Sequence, residues 1–268
     1  AFYALDVEDA ANLRALLLAA EFCPSLEKVV LRQDEPSGCD LMQRKEIFGL
    51  KDQNVLRVIS VEKQRARMLL KEYPLEIGSD GHVSDAVHLV LPLLGAFEKA
   101  VAVQAAWIGH YRNGGRVNLW LASATLRDEL LTDFPKLERC VNLKCLGEES
   151  VRGVEEIGQQ AGEGAIVTVL LTHLEPEQAY LKMLHLEERY PEGIGLRVIL
   201  KASGDKALPR SIREHPNIAV LPDGRGLLGN TVLDEIDQLG QAIHETWYQG
   251  NIKRIQEAEK KGDSKEVE

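Results

Sequence analysis

The chain has 268 residues and a formal net charge of −10; 44% of its residues are hydrophobic but only 5% are aromatic. A chain of this length can bury a sizeable core without disulfides or metals, and that core must consist mostly of Leu, Val, Ile and Ala. Such a composition suits a parallel sheet covered by helices. The acidic balance opposes binding to nucleic acid and to anionic membrane surfaces, so we expect neither as a general partner.

Membrane and metal functions have no support in the sequence. No apolar run reaches the ~18–20 residues of a membrane span, so we expect a cytoplasmic protein, or the cytosolic part of a membrane-associated one, with no direct membrane insertion of this chain. The cysteines Cys23, Cys39, Cys140 and Cys145 lack metal-ligand spacing, which predicts reduced thiols and no metal site. Because the chain opens on a segment typical of a buried strand, we expect the native protein to extend further at its amino end.

Short apolar runs alternate with longer amphipathic stretches along the chain. The predicted strands are Phe2–Leu5, Lys28–Arg32, Val55–Ser60, Val87–Leu93, Arg116–Ala122, Leu143–Cys145, Ile166–Thr172, Leu196–Lys201 and Ile218–Leu221. The predicted helices are Ala10–Phe22, Val61–Glu72, Phe97–Tyr111, Leu126–Leu137, Val151–Ala161, Glu177–Tyr190 and Val232–Tyr248. Strict alternation predicts an α/β fold with a Rossmann-like parallel sheet and helices on both faces.

A polar, Gly- and Ser-containing stretch at residues 76–85 indicates a linker between two parts. We expect residues 1–75 to form the C-terminal half of a first Rossmann-like unit. Residues 86–247 would form a complete unit, and residues 248–268 a polar tail. Because the half-unit would leave a sheet edge unpaired, we expect residues 1–75 to dock on the complete unit or on a second copy of the chain.

An internal repeat supports this division. Residues 2–73 and 168–247 both run strand, turn, long helix, strand, polar turn with a short helix, strand and closing helix. The alignment places Phe2–Leu5 on Thr168–Leu171, Asn12–Glu21 on Ala179–Glu188, Lys28–Arg32 on Leu196–Lys201, and Val55–Val58 on Asn217–Val220. Because three further strand–helix pairs precede only the second copy, the sequence predicts one complete unit after the back half of another.

Three segments carry a resemblance to a known family. Two of them resemble parts of the TrkA-N or RCK-type NAD-binding modules that regulate potassium channels and transporters. The segment Ala4–Arg14 is similar to the fourth strand of such a module and the turn that follows it. The segment Val87–Ala106 is similar to the first strand, the phosphate loop and the first helix. The segment Ala242–Trp247 resembles the opening helix of the RyR domain that follows TrkA-N-like modules in some bacterial proteins. The resemblance implies a regulatory module that associates as a homodimer through its Rossmann units, with an ion-channel or RyR-type domain on the same native chain.

The phosphate loop of the complete unit departs from the dinucleotide-binding pattern. That pattern uses three glycines, for a tight turn, for close approach to the pyrophosphate and for packing of the helix on the strand. Here the three positions hold Pro92, Leu94 and Phe97, and Gly95 lies one place out of register. Leu94 would project toward the phosphate, and Phe97 would crowd the helix–strand contact.

Two further features oppose binding. The carboxylate that normally holds the adenosine ribose is missing, because the second strand ends in Ala122 and Ser123. Glu98 lies in the first turn of the following helix, where its charge favours the helix dipole but competes with a bound anion. We therefore expect no cofactor in the usual pose in the complete unit.

The candidate cofactor-binding residues are Gly95, Asp6, Thr172 and His173. Apart from Gly95, they follow central strands at the edge where open α/β sheets bind ligands; helix capping or a turn is their alternative role. A second hypothesis is a nucleotide sensor that uses the truncated unit. In that case Asp6 and Asn12 would lie beside a phosphate loop outside the chain, and NAD(H) or another adenine nucleotide would bind there.

The leading functional hypothesis is a non-catalytic regulatory or ligand-sensing module. The alternative is an NAD(P)-dependent oxidoreductase, but the position four residues after Tyr180 holds no lysine, so the Tyr-x-x-x-Lys spacing is not met. The chain also lacks the G-x-S-x-G, P-loop and HExxH motifs. We therefore predict no catalytic residue and no enzymatic activity.

Overall fold

Two fully parallel sheets form the framework of the part that the computed structural model describes, residues 2–5, 8–22, 28–35, 55–109, 115–146, 150–202 and 208–221. The strands are β1 (Phe2–Ala4), β2 (Lys28–Arg32), β3 (Val55–Ile59), β4 (Val87–Leu91), β5 (Asn118–Leu121), β6 (Asn142–Cys145), β7 (Ile166–Leu170), β8 (Gly195–Lys201) and β9 (Ile218–Leu221). The helices are α1 (Asp9–Phe22), α2 (Val61–Glu72), α3 (Ala96–Ile108), α4 (Ala124–Asp133), α5 (Ser150–Ala161), α6 (Pro176–Glu187) and α7 (Arg210–Arg213), with a 3-10 turn at Leu137–Arg139.

The strand order confirms the predicted fold class. The first sheet has the order β1-β2-β3 and the second the order β6-β5-β4-β7-β8-β9. Counted from its own first strand, the second sheet reads 3-2-1-4-5-6, which is the order of the dinucleotide-binding Rossmann fold. Residues 1–224 belong to one compact unit. Residues 222–268, with the predicted last helix, the RyR-like segment and the tail, lie outside the described residues.

Local sequence signals set the bounds of several helices. The Ser60 hydroxyl caps α2 by accepting a hydrogen bond from the Lys63 N–H at 3.1 Å. Helix α4 ends earlier than predicted because Pro135 disfavours helical geometry at Phe134, which has φ −132° and ψ 72°.

The repeat relates the two sheets, but the predicted alignment of the first strand is wrong by one residue. Laterally paired positions are Phe2, Val29 and Leu56 in the first sheet and Val169, Val198 and Ile218 in the second. Phe2 therefore corresponds to Val169 and not to Thr168. Ala4 packs with α1, whereas its predicted equivalent, Leu170, belongs to the core on the face opposite α6. A slip of one residue reverses the face because side chains alternate along a strand.

The second sheet has a core on each face. On one face α5 and α6 cover Val90, Val169 and Val198. On the other face the core combines strand residues with helices α2, α3 and α4. Helix α2 follows the first sheet in the chain, yet its Ala66 and Leu69 are fully buried in this core and it packs along α3. The expected docking of residues 1–75 on the following unit is therefore observed for α2.

A buried lysine joins the two sheets. The Nζ atom of Lys99 on α3 lies 2.8 Å from Asp133 Oδ2, 3.1 Å from Glu129 Oε1 and 3.2 Å from Glu35 Oε1. Glu35 follows β2 of the first sheet, whereas the other two carboxylates belong to α4. Burial lowers the pKa of Lys99, but the hydrogen bonds to Asp133, Glu129 and Glu35 outweigh this effect, so the pKa is raised above its ordinary value. The ammonium therefore stays charged.

The segment that follows α2 is held against the second sheet. Within residues 76–85, Ile77 and Val83 form an antiparallel bridge. The buried guanidinium of Arg197 on β8 donates to the carbonyl oxygen of Pro74 at 2.8 Å and to that of Ile77. These contacts fix the path of the chain between α2 and β4.

Substitution of Lys99 by Met should leave three carboxylates facing one another without their cation. Because Glu35 and Glu129 are partly exposed and can rehydrate, we expect a loss of about 1–3 kcal/mol in the free energy of unfolding. Urea denaturation measures it. The exposed Lys71→Met variant on α2 is the matched control, and equal stability of the two variants would contradict this role of Lys99.

A second set of polar contacts lies at β4, β5 and β6, on the face of the second sheet that α5 and α6 cover. Trp120 Nε1 donates to His88 Nδ1 at 3.1 Å, and the Lys144 Nζ atom lies 4.7 Å from the centroid of the Trp120 ring. Burial lowers the pKa of His88 to about 4, and the charge of Lys144 acts in the same direction. His88 is therefore a neutral hydrogen-bond acceptor at neutral pH.

This neutral histidine should make stability depend on pH. Below about pH 6.5 His88 is protonated in the unfolded chain, whereas in the folded chain it stays neutral down to about pH 4. The free energy of unfolding therefore falls as the pH falls through this window. The maximum loss is about 3 kcal/mol. Urea denaturation between pH 7 and pH 4 should show a shallower pH dependence for His88→Gln than for the wild type. The exposed His185→Gln control should retain the wild-type dependence.

Candidate functional site

The carboxyl ends of β4 and β7 form the switch point of the second sheet, where the strand order reverses and open α/β sheets bind ligands. The two strands pair side by side, with Val90 opposite Val169. The loop after β4 leads through Gly95 into α3, and the turn after β7 contains Thr172 and His173. Three of the four predicted site residues therefore belong to this edge, and Asp6 lies outside the described residues.

The carboxylate of Glu98 bridges the two sides of the switch point. Its Oε2 atom accepts a hydrogen bond from the Gly95 N–H at 3.1 Å, which caps the amino end of α3. Its Oε1 atom accepts a hydrogen bond from the Thr172 hydroxyl. The residue is only 7% exposed. Thr172 is predicted as a ligand contact or a cap. In the structure it donates to the carboxylate of Glu98, which caps α3.

This arrangement places an internal anion where a dinucleotide fold holds its pyrophosphate. Free N–H groups and the dipole at the start of the first helix attract negative charge, and a ligand phosphate normally satisfies them. Gly95 supports the same arrangement, because a Cβ atom there would lie 2.8 Å from Glu98 Oε2. The surviving glycine therefore makes room for the protein's own carboxylate.

The residues that replace the loop glycines have partners in the core. Phe97 is 7% exposed and packs in the core shared with α2, with the guanidinium carbon of Arg65 5.5 Å from its ring centroid. Leu94 is half-buried against the same core. At the expected ribose position, the Ser123 hydroxyl accepts from the Leu126 N–H at 3.3 Å and caps α4. Phe97, Leu94 and Ser123 thus each have a structural role.

His173 lies exposed beside this bridge. Burial of part of the ring lowers the pKa of His173, the charge of Lys182 lowers it further, and the charge of Glu98 opposes the shift. The net direction is downward, so the imidazole is neutral at neutral pH. It adds no positive charge that would attract a phosphate.

Carboxylates also accept hydrogen bonds from backbone N–H groups at the carboxyl edge of the first sheet. Asp9, at the start of α1, accepts hydrogen bonds from the Asp34 N–H at 2.8 Å, the Glu35 N–H at 3.0 Å and the Gln33 Nε2 atom at 2.7 Å. Asp34 in turn accepts from the N–H of Val61 at 2.8 Å, at the start of α2. The sequence did not predict these hydrogen bonds, because their donors and acceptors are more than twenty residues apart.

Asn12, which the nucleotide-sensor hypothesis places beside a phosphate loop, is 1% exposed. Its Nδ2 atom donates to the carbonyl oxygen of Arg32 at 3.1 Å, at the end of β2. In the described part of the chain, this contact holds α1 against the strand.

A groove of about 310 Å³ lies at the opposite, amino-terminal edge of the second sheet, beside Glu187, Tyr190 and Asn217. Glu187 is already engaged there, because it accepts from the Asn217 side chain and lies 3.5 Å from His215 Nε2. The groove is therefore remote from the switch point, and the Glu187 carboxylate in it already has partners.

The described ranges contain neither a cluster of metal-binding side chains nor a helix suited to crossing a membrane. No group of three or more His, Cys, Asp or Glu side chains there could hold a metal ion. No helix there combines the length and the apolar character that crossing a membrane requires. Cys140 and Cys145 are free thiols, and Cys23 and Cys39 lie outside the described residues.

Fold and site together define a Rossmann-type α/β protein in which the Glu98 carboxylate accepts hydrogen bonds from Gly95 and Thr172 at the switch point. Comparison of the chain with models of known protein families, with curated proteins and with solved structures finds no match.

A double-mutant cycle should detect the bridge. We expect Glu98→Ala to cost about 1–2 kcal/mol of stability because the cap of α3 is lost, and Thr172→Val to cost about 1 kcal/mol. Because both remove the same hydrogen bond, their effects should fall short of additivity by about 1 kcal/mol in urea denaturation. Glu177→Ala, an exposed acidic residue in the first turn of α6, is the control. Full additivity of Glu98→Ala and Thr172→Val would contradict the bridge.

Proposed function

We propose that this protein is a non-catalytic regulatory module of the TrkA-N/RCK-like kind whose complete Rossmann unit binds no dinucleotide. The observation that carries the proposal is the Glu98 carboxylate held between the Gly95 N–H and the Thr172 hydroxyl. The unit keeps the strand order of a nucleotide-binding fold and uses its anion site for an internal contact.

The repulsion between the Glu98 carboxylate and a ligand phosphate supports the proposal. A ligand phosphate about 4 Å from the Glu98 carboxylate would be repelled by about 4 kcal/mol at an effective dielectric constant of 20. That penalty corresponds to roughly a thousandfold loss of affinity. Displacement of the carboxylate would instead cost its two hydrogen bonds, one of which caps α3. Either route makes the usual dinucleotide pose unfavourable.

A regulatory role is further supported by the connection between the two sheets. Lys99, next to Glu98 on α3, contacts Glu35 at the carboxyl edge of the first sheet. The same loop, through Asp34, caps the start of α2, which packs along α3. A change at the edge of the first sheet would therefore reach the start of α3 through a short series of polar contacts.

Calorimetric titration tests the proposal. We expect wild-type protein to show no saturable binding of NAD⁺, NADH or ADP-ribose at ligand concentrations up to about 1 mM. Glu98→Ala, which frees the Gly95 N–H at the start of α3 and removes the negative charge, should bind ADP-ribose more tightly than the wild type. Glu98→Gln, which keeps the shape and loses the charge, separates repulsion from occupancy.

Other outcomes discriminate between the hypotheses. Micromolar binding of NAD⁺ by the wild type that changes in Glu98→Ala would contradict the proposal. Micromolar binding that is insensitive to Glu98 and Thr172 would favour a nucleotide sensor in the truncated unit. Turnover of a substrate with NAD(P)H would favour the oxidoreductase alternative.

A further inference from the structure

Helix α1 of the first sheet presents an apolar stripe to solvent. Its inner side is already buried, with Leu16 fully enclosed between the helix and the sheet. On its outer side, Leu17, Leu18 and Phe22 are 48%, 51% and 72% exposed. Their spacing places them on one face of the helix. We refer to Leu17, Leu18 and Phe22, with the exposed Arg14 and Glu21 beside them, as the outer stripe.

The equivalent helix of the second sheet shows that the fold does not require this stripe. The lateral pairing of strands places α1 on α6, so Leu17, Leu18 and Phe22 correspond to the residues Leu184, His185 and Arg189. His185 and Arg189 are exposed, and Arg189 Nη1 lies 2.9 Å from Glu155 Oε1 on α5. Two of the three positions are therefore polar in the second copy, whereas the third, Leu184, is half-buried against its core. Leu181, which corresponds to Arg14, is 66% exposed. A cluster of exposed apolar side chains marks an interaction surface.

The charges of the outer stripe match a second copy of itself. If two α1 helices lie antiparallel with a two-fold axis between Leu17 and Leu18, each Arg14 faces Glu21 of the second copy. Leu17 then faces Leu18 of the second copy, so the apolar side chains meet at the axis. In a parallel pair, Arg14 would face Arg14 and Glu21 would face Glu21, which is repulsive. A self-complementary patch of this kind is what an isologous interface requires.

We propose that the outer stripe is a two-fold interface between two copies of this chain, with α1 packed antiparallel to α1. The inference does not depend on the proposed function, because it concerns the first sheet and not the switch point. Helix α1 has 14 residues and by itself offers less area than the roughly 1,200–2,000 Å² of a standard stable interface. We therefore expect a dimer with a dissociation constant in the micromolar range.

Sedimentation equilibrium of the full chain tests the interface directly. The wild type should associate to a dimer at about 100 µM, and Leu18→Asp/Phe22→Asp should weaken this association by at least about thirtyfold. The matched control is Leu181→Asp, which places the same charge at an exposed leucine on α6 and should leave the association unchanged. Circular dichroism establishes that each variant is folded.

Charge reversal tests the antiparallel geometry without touching the apolar residues. Arg14→Glu or Glu21→Arg alone should each weaken the dimer by about fivefold, because each creates two pairs of like charges. The double variant Arg14→Glu/Glu21→Arg should restore the wild-type affinity to within about twofold. A wild type that stays monomeric at about 1 mM, a dimer unaffected by Leu18→Asp/Phe22→Asp, or a double variant without recovery would each overturn the proposal.

Discussion

The packing of α2 along α3 is the interaction on which the rest of the structure depends. The first sheet has a small core of its own, built around Leu16, Val29 and Leu31 against α1. Helix α2 follows that sheet but buries Ala66 and Leu69 in the core of the second sheet, so it attaches the first sheet to that larger core. Because a small core seldom outweighs the entropy cost of folding, the three strands and α1 of the first sheet gain stability from this attachment. The Lys99 ion cluster and the Arg197 contacts then fix the direction in which the two sheets join.

The same junction explains why the switch point suits an internal contact. Glu98 and Lys99 are consecutive residues near the start of α3, and they face partners from different parts of the molecule. Lys99 gathers carboxylates from the first sheet and from α4, whereas Glu98 takes the donors at the switch point. Donors of the kind that hold a ligand phosphate in dinucleotide-binding folds are thus used here by a side chain. This internal contact is the physical basis for proposing a regulatory module.

The two copies of the repeat share a framework and differ at their surfaces. Their strands have the same lateral register once the register of β1 is corrected. The framework is conserved between the copies because each helix must cover the same face of a twisted parallel sheet. The outer face of the long helix has no such constraint, so Leu18 and Phe22 of the first copy correspond to the polar residues His185 and Arg189 of the second. That freedom is what allows one copy to carry an interface that the other lacks.

The sequence by itself determined the elements, the fold class and the loss of the glycine loop, because these depend on local periodicity and on residue types at fixed spacing. All nine predicted strands are present, and α2 begins and ends at the predicted residues. Competition between Glu98 and a bound anion could also be expected, since the residue lies in the first turn of its helix. Only the tertiary structure decided which groups meet that carboxylate and the neighbouring lysine. Thr172 is 74 residues away from Glu98, and Glu35 is 64 residues away from Lys99. A buried charge is stabilised by partners that the fold brings together from distant positions, and no local pattern contains that information.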